Sequence, residues 1–292
     1  VSLESLWQEQ QMRGISYSGG EWVGGDPQED GAVELLLRHG LPAFDKSLWV
    51  NFGCGAWLGA LPSQVGAILA WHNFIEDHLA LLHNAKRMGV EIQSSCEMPK
   101  AASNDIQDRF FRLFQDMEWN WVWLRSLLEH FHSDSQLHIL GCKDDGIRSV
   151  ESKLIEYGYS VETLTVGCHS RWLTVYANAK SEIPVSKENS LVSLALPTGN
   201  WQAKVPAGVF SSGRLDGGSA LLLEHMGHVK GKRVWDPGCG AGILAAAAMR
   251  AGATSVLASD HSIVAVESSR ENLKEFAPHA KTQLTFLADH VE

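Results

Sequence analysis

Short apolar runs alternate with helical periods along the chain, and turn residues separate them. Gly31 to Arg38 predicts a short helix, and Ser47-Leu48-Trp49-Val50 a strand that enters a glycine turn, Asn51-Phe52-Gly53-Cys54-Gly55. Ala67-Ile68-Leu69-Ala70-Trp71 is a second apolar run, ending at His72. Phe74 to Met88 carries Ile75, Leu79, Leu82 and Ala85 at helical spacing. Val90-Glu91-Ile92 predicts the next strand, and 94–104 a polar loop. Phe110 to Phe114 and Trp119 to Phe131 are rich in aromatics; Leu124, Leu127, Leu128 and Phe131 make the second of these a helix. Its tryptophans could stack on nucleic-acid bases, although core or domain-interface packing is the stronger expectation. Leu137 to Gly141 is a strand, Ile147 to Tyr157 a helix, and Val161 to Val166 with Trp172 to Ala177 a closing antiparallel pair. Residues 180–190 are polar, contain Pro184 and form the best linker.

The pattern then restarts. A helix is expected over Gly217 to His225, followed by the apolar pair Val234-Trp235 running into Asp236-Pro237-Gly238-Cys239-Gly240-Ala241-Gly242 and an alanine-rich helix former. A strand, a tight glycine turn and a helix start let backbone approach a nucleoside closely. Ser255-Val256-Leu257-Ala258-Ser259 leads to Asp260, 24 residues after Asp236. A carboxylate there is placed to accept both ribose hydroxyls. Gly53-Cys54-Gly55-Ala56 repeats Gly238-Cys239-Gly240-Ala241, with Asn51 in the place of Asp236, Trp57 in that of Gly242 and His72 in that of Asp260. An internal repeat follows, its first copy degenerate: Trp57 would fill the space of the nucleoside, and an imidazole cannot accept two hydroxyl hydrogen bonds as a carboxylate does.

Composition bounds the reading. A chain of 292 residues with 45% hydrophobic and 20% charged residues suits two globular domains. No apolar run reaches the roughly 18 residues of a membrane span. The start, Val1-Ser2-Leu3-Glu4, lacks the features of a signal peptide and does not begin with Met. Five cysteines without C-x-x-C spacing fit reduced thiols in a cytoplasmic protein better than disulfides or a metal site. From Trp201 onward nine Lys and Arg balance nine Asp and Glu, so the net charge of −10 falls on the first two hundred residues. RNA contact would therefore use local basic patches. The expected organisation is a poorly specified segment 1–30, a degenerate domain 31–180, a linker 181–199 and an incomplete domain 200–292, each domain α/β and Rossmann-like.

D-x-G-x-G-x-G over Asp236 to Gly242 resembles motif I of the class I S-adenosylmethionine-dependent methyltransferases. Gly208-Val209-Phe210-Ser211, Leu215-Asp216 with Gly218-Ser219, and Gly141-Cys142-Lys143-Asp144-Asp145-Gly146-Ile147-Arg148-Ser149 are similar to segments of the two-domain guanine-N2 methyltransferases of ribosomal RNA. The resemblance implies S-adenosylmethionine as cofactor, ribosomal RNA or a ribosomal subunit as partner, and direct attack of a guanine amine on the sulfonium methyl. It also implies the sheet order 3-2-1-4-5-7-6. It places Asp236, Gly238, Gly240 and Gly242 under the methionine part, Asp260 on the ribose, Phe210 and Asp216 along the approach, and Asp289 near the adenine amino group. A core position for Phe210 and a helix cap for Asp216 are the structural alternatives. The family's Asn-Pro-Pro-Phe/Tyr loop has no counterpart, since the chain contains no Asn-Pro. No catalytic residue is assigned, and this chain alone is expected to be inactive. A methyltransferase of ribosomal proteins and a non-catalytic cofactor-binding scaffold are the alternatives.

Overall fold

The computed structural model describes residues 15–17, 20–22, 30–41, 43–62, 65–96, 106–129, 131–132, 134–176, 183, 189–196, 199–210, 214–276 and 279–284. These cluster into two units: the chain to Ile183 without Asn73–Ile75, and those three residues with everything from Pro184 onward.

In the first unit a small antiparallel ribbon, β1 (Ile15–Tyr17) and β2 (Gly20–Trp22), precedes helix α1 (Gly31–His39). Asp30 caps α1, its carboxylate accepting the Ala32 and Val33 N–H groups at 2.9 and 3.3 Å. Then come β3 (Lys46–Val50), β4 (Ala67–Trp71), α2 (Ile75–Met88), β5 (Gln93–Ser95), β6 (Asp108–Arg112), α3 (Met117–Leu128), β7 (Gln136–Cys142), α4 (Ile147–Glu156), β8 (Ser160–Gly167) and β9 (Ser170–Tyr176). They form one sheet of order β5-β4-β3-β6-β7-β9-β8, parallel but for β9, which runs antiparallel to both β7 and β8. Counted from β3, the order is 3-2-1-4-5-7-6, and 47–50 and 137–140 share the sheet as expected.

The buried middles of the central strands are apolar, Leu48–Val50, Phe110–Phe111 and Ile139–Leu140, because parallel strands are covered on both faces. Trp49 of β3 stacks between Trp57 and Phe110, each 3.9 Å away, and Phe110 stacks in turn on His138 at 4.6 Å. At the end of β6, Arg112 reaches Asp30 at 3.1 Å and Asp145 at 2.5 Å, tying α1 to the loop before α4.

Several expectations shift. The third strand is Gln93–Ser95, not Val90–Ile92, so 94 and 95 belong to a strand; 97–105 lie outside the described residues. The buried face of α2 is Ala80, Leu81, Asn84 and Ala85, while Leu82 is exposed. Here packing against the glycine turn outweighs the apolar count. Phe110–Phe111 is the middle of a central strand, which a short apolar run does not distinguish from a helix segment. Trp119, Trp121 and Trp123 are buried on α3, which leaves no face for stacking on bases.

The second unit opens with a long hairpin, β10 (Asn189–Leu196) and β11 (Gly199–Pro206), beginning inside the stretch read as linker. Helix α5 (Gly217–His225), β12 (Arg233–Pro237), α6 (Ile243–Arg250), β13 (Ser255–Asp260), α7 (Ile263–Asn272) and β14 (Ala280–Leu284) follow. β12, β13 and β14 pair in that order, all parallel. Ala245 to Ala248 are buried and let α6 lie close. Among the described residues β12 pairs with β13 alone, Trp235 is 55% exposed, and no side chain of α5 is buried.

Phe110→Ala should remove about 3–5 kcal/mol of stability, because the ring is fully buried between two stacked partners. Urea denaturation measures this; a loss below about 1 kcal/mol would mean the stack is not the centre of the first unit's core.

Candidate functional site

The second unit's glycine turn is built of alternate left-handed residues. Gly238, Gly240 and Gly242 have φ of 70°, 51° and 77°, a region that disfavours a Cβ. Their surroundings differ. A Cβ on Gly238 would meet nothing within 4 Å, and one on Gly240 only Val209 Cγ1 at 4.0 Å. A Cβ on Gly242 would lie 2.6 Å from Ser269 Oγ and 3.2 Å from its Cα, so the last glycine is also required by the approach of α7. The first two glycines thus leave an open face over the turn.

Two buried carboxylates brace this turn. Asp260, at the tip of β13, accepts the Gly240 N–H through Oδ2 and the Ser262 N–H through Oδ1, both at 2.9 Å. Asp236, in β12, accepts the Ala245 N–H of the first turn of α6 at 3.1 Å. Burial pushes the Asp236 carboxyl up to about 6; the Ala245 N–H opposes this and the nearby Asp260 charge adds to it. A positive ligand beside the turn would relieve that repulsion.

The remaining expected residues are distributed differently. Phe210 is 83% exposed, so it is not a core residue, while its neighbour Val209 is buried, with Cγ1 4.0 Å from where a Gly240 Cβ would stand. Asp216 caps α5 by accepting the Ser219 N–H at 3.0 Å, and the Ser219 side chain and backbone hold its carboxyl below the usual range. Asp289 lies outside the described residues. Ser262, Ser269 and Asn272 touch or brace the turn without having been singled out in the sequence. For Asn272 a signal existed: it follows Asp260 by 12 residues, as Asn84 follows His72.

The first unit contains the same backbone alternation in a different register from the one that residue identity suggests. Asn51, Gly53 and Gly55 have φ of 65°, 57° and 90°. They answer to Gly238, Gly240 and Gly242, which moves the match with Gly-Cys-Gly-Ala by two residues. Left-handed conformation dictates the match, and Asn tolerates it better than most residues. Trp49, opposite Ala70, then answers to Asp236, opposite Ala258. Trp57 does not stand in the place of Gly242; Gly55 does, and its Cβ would meet Leu81 of α2 at 2.5 Å. His72 keeps the position of Asp260. Its ring is 1% exposed, and burial, with His78 adding, pushes its pKa down to about 3. A second match now emerges upstream: Asp30-Gly31 and Leu35-Leu36-Leu37 with His39 against Asp216-Gly217 and Leu221-Leu222-Leu223 with His225. Each aspartate caps its helix.

Among the described residues no group of three His, Cys, Asp or Glu could hold a metal, and no helix is long and apolar enough to cross a membrane.

The parallel-dominated sheet and the glycine turn are those of a Rossmann-like methyltransferase fold. Residues 200–292 match the family described as the methyltransferase small domain. The chain is 34% identical over 222 residues to the ribosomal RNA small subunit methyltransferase C of Pseudomonas fluorescens, covering 76% of this chain and 63% of that protein. It is 35% identical over 219 residues to the protein of the same name from Shewanella sp. (strain MR-4), covering 74% and 59%. The chain therefore spans about three fifths of the length of these two relatives. A solved structure described as the T. thermophilus 16S rRNA N2 G1207 methyltransferase in complex with AdoMet and guanosine superposes with a TM-score of 0.76. It is 20% identical, and the match covers 93% of this chain and 74% of that one. At that identity the likeness establishes the fold.

The raised pKa of Asp236 gives a pH test. Its charged form is disfavoured in the fold, so its cost is absent below pH 3.8, grows as pH rises toward about 6 and is complete above that. Asp236→Asn, which keeps an acceptor for Ala245, should gain about 2–3 kcal/mol on the wild type between acid and neutral pH. Parallel denaturation curves across that range for both proteins would refute the assignment.

Proposed function

We propose that the chain carries the cofactor-binding part of a methyltransferase that uses S-adenosylmethionine to methylate the exocyclic N2 of a guanine in ribosomal RNA, with the cofactor held by the second unit. The observation that carries this reading is the glycine turn whose first two residues open into free space between two buried carboxylates. When bound, the cofactor supplies a methyl group activated on a sulfonium sulfur. Gly238 and Gly240 let backbone approach it, and Asp260 offers the ribose hydroxyls the lone pairs left over from Gly240 and Ser262. Asp236 keeps α6 in register and contributes negative charge that suits a cationic ligand. Gly242 fixes the seat of the turn on α7. Phe210 is free to stack on an incoming base or cofactor, and Asp216 stands at the start of α5 near it in sequence. Asp289 is assigned to the adenine side by the family pattern. The names of the relatives in Pseudomonas fluorescens and Shewanella favour ribosomal RNA as the acceptor over ribosomal protein.

We further propose that the two units are copies of one fold, with domains at 31–180 and 200–292, and that only the second binds cofactor. Three features support the repeat: the alternation of left-handed residues, the capped helix ahead of each first strand, and the glycine seated on the following helix. In the first copy Trp49 and the neutral His72 replace both carboxylates, and Trp49 is stacked on Trp57.

Calorimetry with S-adenosylhomocysteine should show one equivalent bound per chain, and Asp260→Ala should weaken it by about 2 kcal/mol or more, as for a lost pair of charge-assisted hydrogen bonds. Undiminished affinity, or a second equivalent, would sink the assignment. Mass spectrometry of small-subunit ribosomal RNA treated with the full protein and labelled cofactor tests the acceptor: a label on any atom other than guanine N2 would overturn that part.

A further inference from the structure

The side chain of Asn272, the last residue of α7, makes contacts that neither the ribose nor the methionine assignment uses. Its Nδ2 donates to the Ala241 carbonyl inside the glycine turn at 2.9 Å and to the Lys204 carbonyl of β11 at 2.8 Å. Its Oδ1 accepts the Lys204 N–H at 2.9 Å. The bond from Lys204 fixes which end of the carboxamide is oxygen, so the donor end must face the turn. A single side chain thus pairs with β11 as a neighbouring strand would and also holds the turn by its carbonyl side. Asp260 holds the same turn by the Gly240 N–H.

The first unit repeats this tie to the turn. Asn84 of α2, which answers to Asn272, donates to the Cys54 carbonyl at 2.8 Å, and Cys54 answers to Ala241. There the partners expected for a nucleoside are gone, yet the turn keeps its alternating left-handed backbone. The conformation of the turn therefore does not need a ligand to impose it. A carbonyl left without its donor beside a ring of backbone amides would be free to rotate, carrying Ala241 and the flanking glycines out of position.

We infer that Asn272 is a positioning residue for the cofactor: by holding the Ala241 carbonyl it presets the glycine turn, so that the turn binds without reorganising. This rests on the second unit holding S-adenosylmethionine, as proposed above. Preorganisation of this kind appears in affinity, because an unheld turn must be ordered at the moment of binding.

Ser268 separates this role from simple docking of the hairpin. Its hydroxyl donates to the same Lys204 carbonyl at 3.1 Å and does not reach the turn. In the full chain, Asn272→Ala should weaken S-adenosylhomocysteine by about tenfold in calorimetry, and Ser268→Ala should leave it within about twofold. Asn272→Asp keeps the acceptor for the Lys204 N–H but turns a carboxylate toward two carbonyl oxygens; it should bind no better than Asn272→Ala. Thermal melting of each variant shows how much is lost through stability alone. Asn272→Ala binding within about twofold of wild type, or Ser268→Ala losing as much, would overturn the inference. Amide exchange on the wild type adds a readout that needs no variant: residues 238–242 should be protected without ligand and change little on adding S-adenosylhomocysteine. Fast exchange that slows only with ligand would overturn it as well. A wild type that binds no S-adenosylhomocysteine sinks the proposed function, while the unliganded exchange still tests whether the turn is preset.

Discussion

The second unit depends on a carboxylate that accepts backbone amides from a turn. Three left-handed residues in five positions form a conformation that an isolated peptide does not keep, because nothing within the turn repays the loss of chain entropy. Asp260 supplies what the turn lacks through Gly240, and it does so from the tip of the neighbouring strand. Asp236 ties the far side to α6, and Ser269 forms the wall against which Gly242 is seated. The turn is therefore a property of β12, α6, β13 and α7 packed together. Displacing any one of them would move the open face above Gly238 and Gly240.

The two units use this frame at different cost. In the second, two carboxylates are taken out of water within reach of each other, and the raised pKa of Asp236 reports the penalty. In the first, Trp49 stands where Asp236 does and becomes the middle of an aromatic stack with Trp57 and Phe110. Burial of rings stabilises where burial of charge does not. One unit carries a polar, charge-strained turn, and the other an aromatic core beside a turn of the same left-handed alternation. That difference is what binding sites generally exact from stability. The Arg112 contacts to Asp30 and Asp145 in the first unit follow the same logic, with a cation paired internally at the end of a central strand.

Much was legible in the chain because it depends on local rules. The pattern of apolar runs marked most strands, the glycine spacing marked the turn, and an acidic residue at the next strand tip marked its partner. The helix Gly217 to His225 was legible from its cap. The likeness of the two glycine turns was visible too, but matching identical letters set it two residues away from the match that their left-handed residues give. A sequence displays residue types, whereas the match is governed by which positions must be left-handed, and Asn51 meets that demand without being glycine.

The tertiary structure decided what depends on neighbours distant in the chain. Phe110–Phe111 became a central strand because Trp49 and His138 cover it, which no local period could announce. Helix α2 turned Ala80 and Leu81 inward because Leu81 must meet Gly55. Phe210 stayed in solvent while Val209 was buried, although both are apolar and adjacent. Asn272 reached residues 31 and 68 positions away, and its carboxamide has no apolar or charge signature to announce that reach. The sequence by itself determined where the backbone must bend and where charge is buried, since glycine and aspartate have few other uses at such positions. Which side chains close around that bend was settled only by packing, because a contact across dozens of residues has no local physical cause.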